Sequence, residues 1–191
     1  SPPRTEGHPI EIEVLDDGTL VAVFSARYSS SQFTASSGVF VSEDNGLTWL
    51  DRSDIGMHYW TMDLEIAPDN DSVWYASVRS HWGINNLEQG GVYRSTDRGV
   101  SWVRINDFYR VWSVTVHPTN PDVAYVCTHD DQDGLQYTEN LTGSTPVFER
   151  VDGYHFANPN RVIFNPYDEN EIWVASFGNG LKKGIVSSGP T

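Results

Sequence analysis

The octet SEDNGLTW begins at Ser42 and returns as STDRGVSW at Ser95, in the common frame Ser-x-Asp-x-Gly-x-(Ser/Thr)-Trp. A signature of this kind, written twice in one chain, implies a repeated structural unit, and the flanking text extends the repeat. IEIEVLDDGTLVAVFSAR precedes the first octet and TMDLEIAPDNDSVWYASVRS the second; VWSVTVHPTNPDVAYVCTHD and NRVIFNPYDENEIWVASFGN continue the series. A glycine opens the segment that follows in each copy, at Gly38, Gly91, Gly134 and Gly180. The 191 residues therefore divide into four modules, over about 10–50, 61–105, 111–151 and 159–187.

Every module repeats one plan. A run of period two comes first, as in Val111, Trp112, Ser113, Val114, Thr115 and Val116, which is the alternation of a strand with one buried face. A turn rich in Pro, Asp and Asn follows (APDNDS, HPTNPD, NPYDEN), then a second apolar strand (VWYASV, VAYVC, IWVAS). Pro presets φ in such turns, and Asn and Asp bond their own backbone. After a variable loop comes a third strand, then the octet, whose Trp starts a fourth. Aromatic residues make up 13% of the chain and favour strands. The expected fold is all-β, a β-propeller of four-stranded antiparallel blades, with about four blades in this chain.

In this plan the octet is the turn between third and fourth strands. Asp44 and Asp97 are placed to accept from backbone N–H groups of the turn. Gly46 and Gly99 supply positive φ. Ser42 and Ser95, with Thr48 and Ser101, tie the ends of the turn together, and Trp49 and Trp102 bury large rings between outer strands. The third module is degenerate, with Thr138, Asn140 and Phe148 at the Ser, Asp and Trp places, and the fourth has no octet.

The octet resembles the Asp-box, or BNR repeat, of bacterial sialidases, xyloglucanase-type glycoside hydrolases, sortilin-like receptors and a photosystem assembly factor. VTVHPTNPDVAYV and VIFNPYDENEIWVASFGNG are most similar to the xyloglucanase and sortilin-like branch. The resemblance covers nearly the whole chain. It implies a structural role for the octets and a protein that is extracellular, at the cell surface or periplasmic. Propellers of this kind more often have six or more blades, so the chain is expected to be the C-terminal blades of a larger propeller. A closed ring of four, and blades completed by another subunit, are the alternatives.

Charge and composition exclude other classes. The formal charge is −14, and the twelve Lys and Arg are scattered, whereas a nucleic-acid interface needs them clustered. No run approaches the length of a membrane-spanning helix. The single cysteine, Cys127, lies in the apolar run VAYVCTHD and reads as a small buried hydrophobe. Asp130, Asp131 and Asp133 precede a glycine, but the full calcium-loop pattern is missing. No metal and no cofactor is expected.

The candidate binding surface lies in the loops. Those between modules and those between second and third strands fall at one end of a propeller, where a rigid scaffold positions them. Here they carry His58, Tyr59, Trp60, His81, Trp82, Phe108, Tyr109, Trp112, His129, Tyr154, His155 and Phe156. Aromatic faces beside His and Asn suit a sugar, whose C–H faces stack on rings and whose hydroxyls need polar partners. Cleavage would need two carboxylates across the scissile bond. Asp63 and Glu65 on the first strand of the second module are the candidates, with Glu11 and Glu13 at the matching places of the first. Arg161, in register on the fourth module, offers the contrary reading as their structural charge partner. The functional expectation is a propeller that binds carbohydrate, with glycoside hydrolysis as its extension. The rival is a protein-interaction scaffold without activity.

Overall fold

The computed structural model describes residues 1–80, 89–129, 134–156, 158–178 and 180–186. The first sheet contains β1 (Pro9–Val14), β2 (Leu20–Phe24), β5 (Gly38–Ser42) and β6 (Leu50–Asp51), and a small hairpin, β3 (Tyr28–Ser29) with β4 (Gln32–Phe33), rises between β2 and β5. The second contains β7 (Thr61–Ile66), β8 (Trp74–Val78), β9 (Gly91–Ser95) and β10 (Val103–Arg104). The third contains β11 (Val111–Val116), β12 (Ala124–Thr128), β13 (Gly134–Thr138) and β14 (Glu149–Arg150). The fourth has three strands among the described residues: β15 (Pro159–Asn165), β16 (Asp168–Ser176) and β17 (Gly180–Ile185). All pairings are antiparallel and run outward in chain order. Among the described residues, Ile55–Met57 forms a 3-10 turn.

These sheets are blades of a β-propeller. Their first strands lie side by side, β1 on β7, β7 on β11 and β11 on β15. Apolar layers fill the spaces between sheets. Val21, Val23, Val39 and Val41 of the first sheet meet Leu64, Trp74 and Val78 of the second. Tyr75 and Val92 meet Val114, Val116 and Val126, and Tyr125, Leu135 and Tyr137 meet Val162, Ile172 and Val174. Period-two alternation produces this arrangement: one face of each sheet packs backward and the other forward. Cys127 is fully buried in the last layer, where loss of hydration pushes its thiol up to about 12. It is packing material, as its sequence context implies.

The two octets fold alike. Ser42 Oγ donates to Asp44 Oδ1 and accepts from the Gly46 N–H at 2.8 Å, while Asp44 accepts from the Thr48 N–H at 2.8 Å and the Thr48 hydroxyl at 2.5 Å. Ser95, Asp97, Gly99 and Ser101 repeat the set. Positive φ extends beyond the glycines to Asn45 and Arg98, so two consecutive left-handed residues make the turn, matching the twist of the strands it joins. Arg98 uses this conformation to pair with Asp17 of the first sheet and with Asp71. In the third sheet Asn140 Oδ1 accepts from the Val147 N–H at 2.8 Å, and the longer loop closes on an amide in place of a carboxylate. Trp49 and Trp102 are only half-buried. Trp102 reaches back to Trp74, 6.4 Å between ring centres, and donates to the Arg52 carbonyl at 2.7 Å.

The opening residues lie on the first sheet and form none of its strands. Arg4 donates to the carbonyls of Ala35 and Ser37 at 2.7 and 2.6 Å, pairs with Asp51, and lies over the Phe40 ring.

Candidate functional site

A β-bulge recurs at the second residue of every inner strand, at Ile10, Met62, Trp112 and Asn160, where the register with the second strand slips by one. A bulge redirects a side chain while the rest of the ladder keeps its register. At Trp112 it carries an indole to the loop end of the blades. That ring stacks flat on His129, 4.5 Å between centres with 5° between planes. On another side the Arg79 guanidinium lies 5.0 Å from the Trp112 ring and 4.4 Å from Trp60. Trp60 in turn meets Phe33 at 4.7 Å, and Phe33 meets Tyr28 at 4.9 Å. One ladder of rings and a cation, Tyr28–Phe33–Trp60–Arg79–Trp112–His129, thus crosses three blades.

Backbone bonds hold the ladder in place. The Arg79 N–H donates to the Trp60 carbonyl at 2.9 Å, Ser80 to Tyr109 at 2.6 Å and His129 to Arg110 at 3.0 Å. Arg79 and Arg110 face each other across a single bridge. Burial, and then the neighbouring Arg110 charge, lower the pKa of Arg79. Its position between two indoles offsets part of this, since cation–π attraction strengthens with desolvation.

The structure separates the sequence candidates. Trp60 and Trp112 are central to the ladder. His58 and Tyr59 are half-buried beside it, and Tyr109 and His155 are exposed. His129 is buried behind Trp112, with its Nε2–H donating to the Pro159 carbonyl at 3.0 Å. It backs the Trp112 ring. Phe108 turns away to pack on Phe148, and Tyr154 is buried with its hydroxyl on Ser176. Both are wedges between blades. His81, Trp82, Asp130, Asp131 and Asp133 lie outside the described residues. Tyr28, Phe33 and Arg79 were missed as aromatic-face residues. The first two sit on a hairpin inside a loop, and a lone Arg at the end of a strand carries no periodic signal.

The carboxylates of the inner strands form a second cluster, at the axis. Three of them act as staples to the next blade. Glu11 accepts from the Leu64 N–H at 3.0 Å, Asp63 from Val114 at 3.0 Å and Glu65 from Val116 at 3.1 Å. Ser113 and Thr115 occupy the same register and donate to the carbonyls of Asn160 and Val162. Arg161 closes the set, paired with Asp63 and 3.8 Å from Glu11. Burial raises Asp63 well above the usual carboxylate range, against the pull of Arg161. Burial also lifts Glu65 to about 7, with the Val116 N–H opposing.

No protein-family model matches the chain. It is 37% identical over 68 residues to a probable cytosolic Fe-S cluster assembly factor of Schizosaccharomyces japonicus, a match covering 36% of this chain and 10% of that protein. It is 29% identical over 92 residues to vacuolar protein sorting/targeting protein 10 of Fusarium vanettenii, covering 43% and 6%. Solved structures share the fold. A GH74 enzyme of Niastella koreensis superposes with TM-score 0.59 at 16% identity, over 92% of this chain and 28% of that one. YCF48 bound to D1 peptide gives 0.60 at 11% identity, over 94% and 51%. PorZ, a bacterial surface component of the type-IX secretion system of Porphyromonas gingivalis, gives 0.65 at 14% identity, over 93% and 26%. The chain thus spans a tenth or less of these curated relatives and about a quarter to a half of these solved chains. The neighbours define a class of propellers that includes GH74 enzymes, a peptide-bound YCF48 and a bacterial surface component of a secretion system. Among the described residues, no helix is long and apolar enough to cross a membrane.

Proposed function

We propose that the chain is an arc of an Asp-box propeller, of the xyloglucanase and sortilin-like branch, that binds carbohydrate on its loop face and does not cleave it. The observation that carries this reading is the ladder from Tyr28 to His129, which fixes aromatic surface across three blades. Tyr28 and Tyr109 are exposed beside it. Rigid rings next to Arg and His suit a sugar's C–H faces and hydroxyls.

The axial acids support binding over hydrolysis. A glycosidase keeps two carboxylates free on either side of the bond it breaks. Here Asp63 spends both oxygens, on Val114 and Arg161, and Glu65 holds the Val116 N–H with one of its own. A place outside the cytoplasm fits the description of PorZ as a bacterial surface component.

A peptide ligand is the second reading. Arg79 and Arg110 bring two cations to the loop face of a chain whose formal charge is −14, and that set suits a peptide's carboxylates. The YCF48 neighbour is described as bound to a peptide.

The deciding experiment is a glycan array with a hydrolysis screen on plant and microbial polysaccharides, run beside Tyr28→Ala and Tyr109→Ala. Glycan signal that falls in both variants, with no hydrolysis, supports the proposal. No glycan signal, with a stoichiometric protein partner in a pull-down, replaces it with the peptide reading.

A further inference from the structure

A guanidinium lies against the opening glycine of the third strand in the first three blades. In the second, a Cβ at Gly91 would meet Arg104 Nε at 2.9 Å, and in the third a Cβ at Gly134 would meet Arg150 Nε at 3.2 Å. Both arginines stand on the fourth strand at one register, opposite Tyr93 and Gln136. The first blade has Asp51 at that register, opposite Phe40. Its guanidinium comes from Arg4, whose Nη2 would lie 2.8 Å from a Cβ at Gly38. An acid thus stands where the other blades have arginine, and an arginine from outside the sheet pairs with it.

Arg4 does more than cover a glycine. Its Nε donates to Asp51 at 2.7 Å and its Nη2 to the Ser53 hydroxyl at 3.0 Å, while Nη1 holds the carbonyls of Ala35 and Ser37. Bonds from a charged fork at these distances fix the group they reach. Ser37 passes the grip on. It is fully buried, its N–H donates to the His58 carbonyl at 3.0 Å, and its Oγ accepts from the Thr61 N–H at 2.7 Å. Those two groups flank Tyr59 and Trp60, so one serine clamps the backbone on both sides of an indole central to the ring ladder. Gly90 holds the Ser37 register in the second blade. A Cβ there would meet the Tyr109 carbonyl at 2.0 Å, so the second blade cannot carry this clamp.

We infer that Arg4, acting through Ser37, is a positioning residue for Trp60 and thereby sets the affinity of the loop face for its ligand. The part concerning affinity rests on the carbohydrate reading above, and the part concerning Trp60 does not. A ring serves as a stacking surface only when the bonds behind it hold its angle. Here the buried Thr61 N–H has Ser37 Oγ as its acceptor, and a buried donor that loses its acceptor shifts the backbone that carries it.

Fluorine NMR of the chain carrying fluorotryptophan tests the first part without any ligand. The Trp60 resonance is assigned by its loss in Trp60→Phe. Arg4→Ala is expected to shift or broaden it and to leave the resonance of Trp173, in the fourth blade, where it was. Arg94→Ala is the control. Arg94 also donates from Nη1 to two carbonyls, those of Leu141 and Gly143, both at 2.9 Å, in the β13–β14 turn. A role in stability alone would make the two variants alike. Arg4→Lys keeps a charge beside Asp51 and loses the planar fork, so its Trp60 resonance should lie between those of the parent and Arg4→Ala. Circular dichroism checks each fold, and if Arg4→Ala does not fold the shift is read in Arg4→Lys. Guanidinium ion at millimolar concentration should return the Arg4→Ala resonance toward the parental position, and methylammonium should not. Titration with the strongest glycan from an array tests the second part. Affinity should fall by about threefold or more in Arg4→Ala, the fold-change that one net hydrogen bond is worth, and stay at the parental value in Arg94→Ala. A Trp60 resonance unmoved in Arg4→Ala, or moved as far in Arg94→Ala, would overturn the inference. An unchanged affinity beside a moved resonance would overturn it too. If the parent binds no glycan, the carbohydrate reading fails together with the affinity part, and the resonance still decides whether Arg4 sets this ring.

Discussion

Arg161, on the inner strand of the fourth blade, pairs with Asp63 on the inner strand of the second, a carboxylate with no exposure to solvent. Asp63 also accepts from the Val114 N–H, so one buried group joins three consecutive blades at the axis. Removing one partner of such a pair leaves an uncompensated buried charge. Arg161→Ala is expected to destabilise the chain by about 3 kcal/mol, the low end of the usual range because the guanidinium is partly exposed. Arg161→Lys should restore part of that, since an ammonium keeps the charge and loses the planar fork. Urea unfolding measures both. A loss within error for Arg161→Ala would show the pair to be incidental.

Glu65 gives the axis a pH dependence. Its carboxyl is lifted to about 7 by burial, from an ordinary 4.5. Between those values the unfolded chain has released this proton while the folded chain still holds it. Stability therefore falls as pH rises from 4.5 to 7. Raised Asp63 and Glu13 act in the same direction. His58, depressed chiefly by burial, acts in the opposite one. Glu65→Gln keeps an oxygen for the Val116 N–H and removes the titration. Unfolding curves at pH 4.5, 6 and 8 should show a shallower decline for Glu65→Gln than for the parent. Parallel profiles would remove Glu65 from the account.

The turns make an ordering prediction. Asp97 accepts from both the backbone N–H and the hydroxyl of Ser101. Asn140 shows that an amide can hold the backbone bond in the third blade. Melting temperatures should therefore fall in the order parent, Asp97→Asn, Asp97→Ala, with glycan binding unchanged in the folded fraction. Lost binding at an unchanged melting temperature would make this turn part of a site.

Much of the fold was legible because propeller blades are local. The alternation in VWSVTV and the glycines at 38, 91, 134 and 180 report strands that pair with their chain neighbours, so the order of strands follows from the order of text. The loop face was harder. Loop composition points to Trp60 and Trp112, which lie in the ladder of rings, but Phe108, Tyr154 and His129 share that composition and point into the blades. Which way a ring turns depends on the bulge at Trp112 and on packing from the next blade, and neither leaves a periodic mark. The axial acids show the same limit. Asp63 and Glu65 look like a catalytic pair until the Val114 and Val116 N–H groups are seen to claim them.

The measurement that tests the central claim most directly is a calorimetric titration of the parent and Tyr109→Ala with the strongest glycan from an array. Tyr109 is 47% exposed, and a melting curve of the variant checks that its fold survives. The account predicts saturable binding by the parent, weakened in Tyr109→Ala by about fivefold or more, the equivalent of roughly 1 kcal/mol for a stacked ring. Equal affinity in the two proteins, or no heat with any glycan at millimolar concentration, would contradict it.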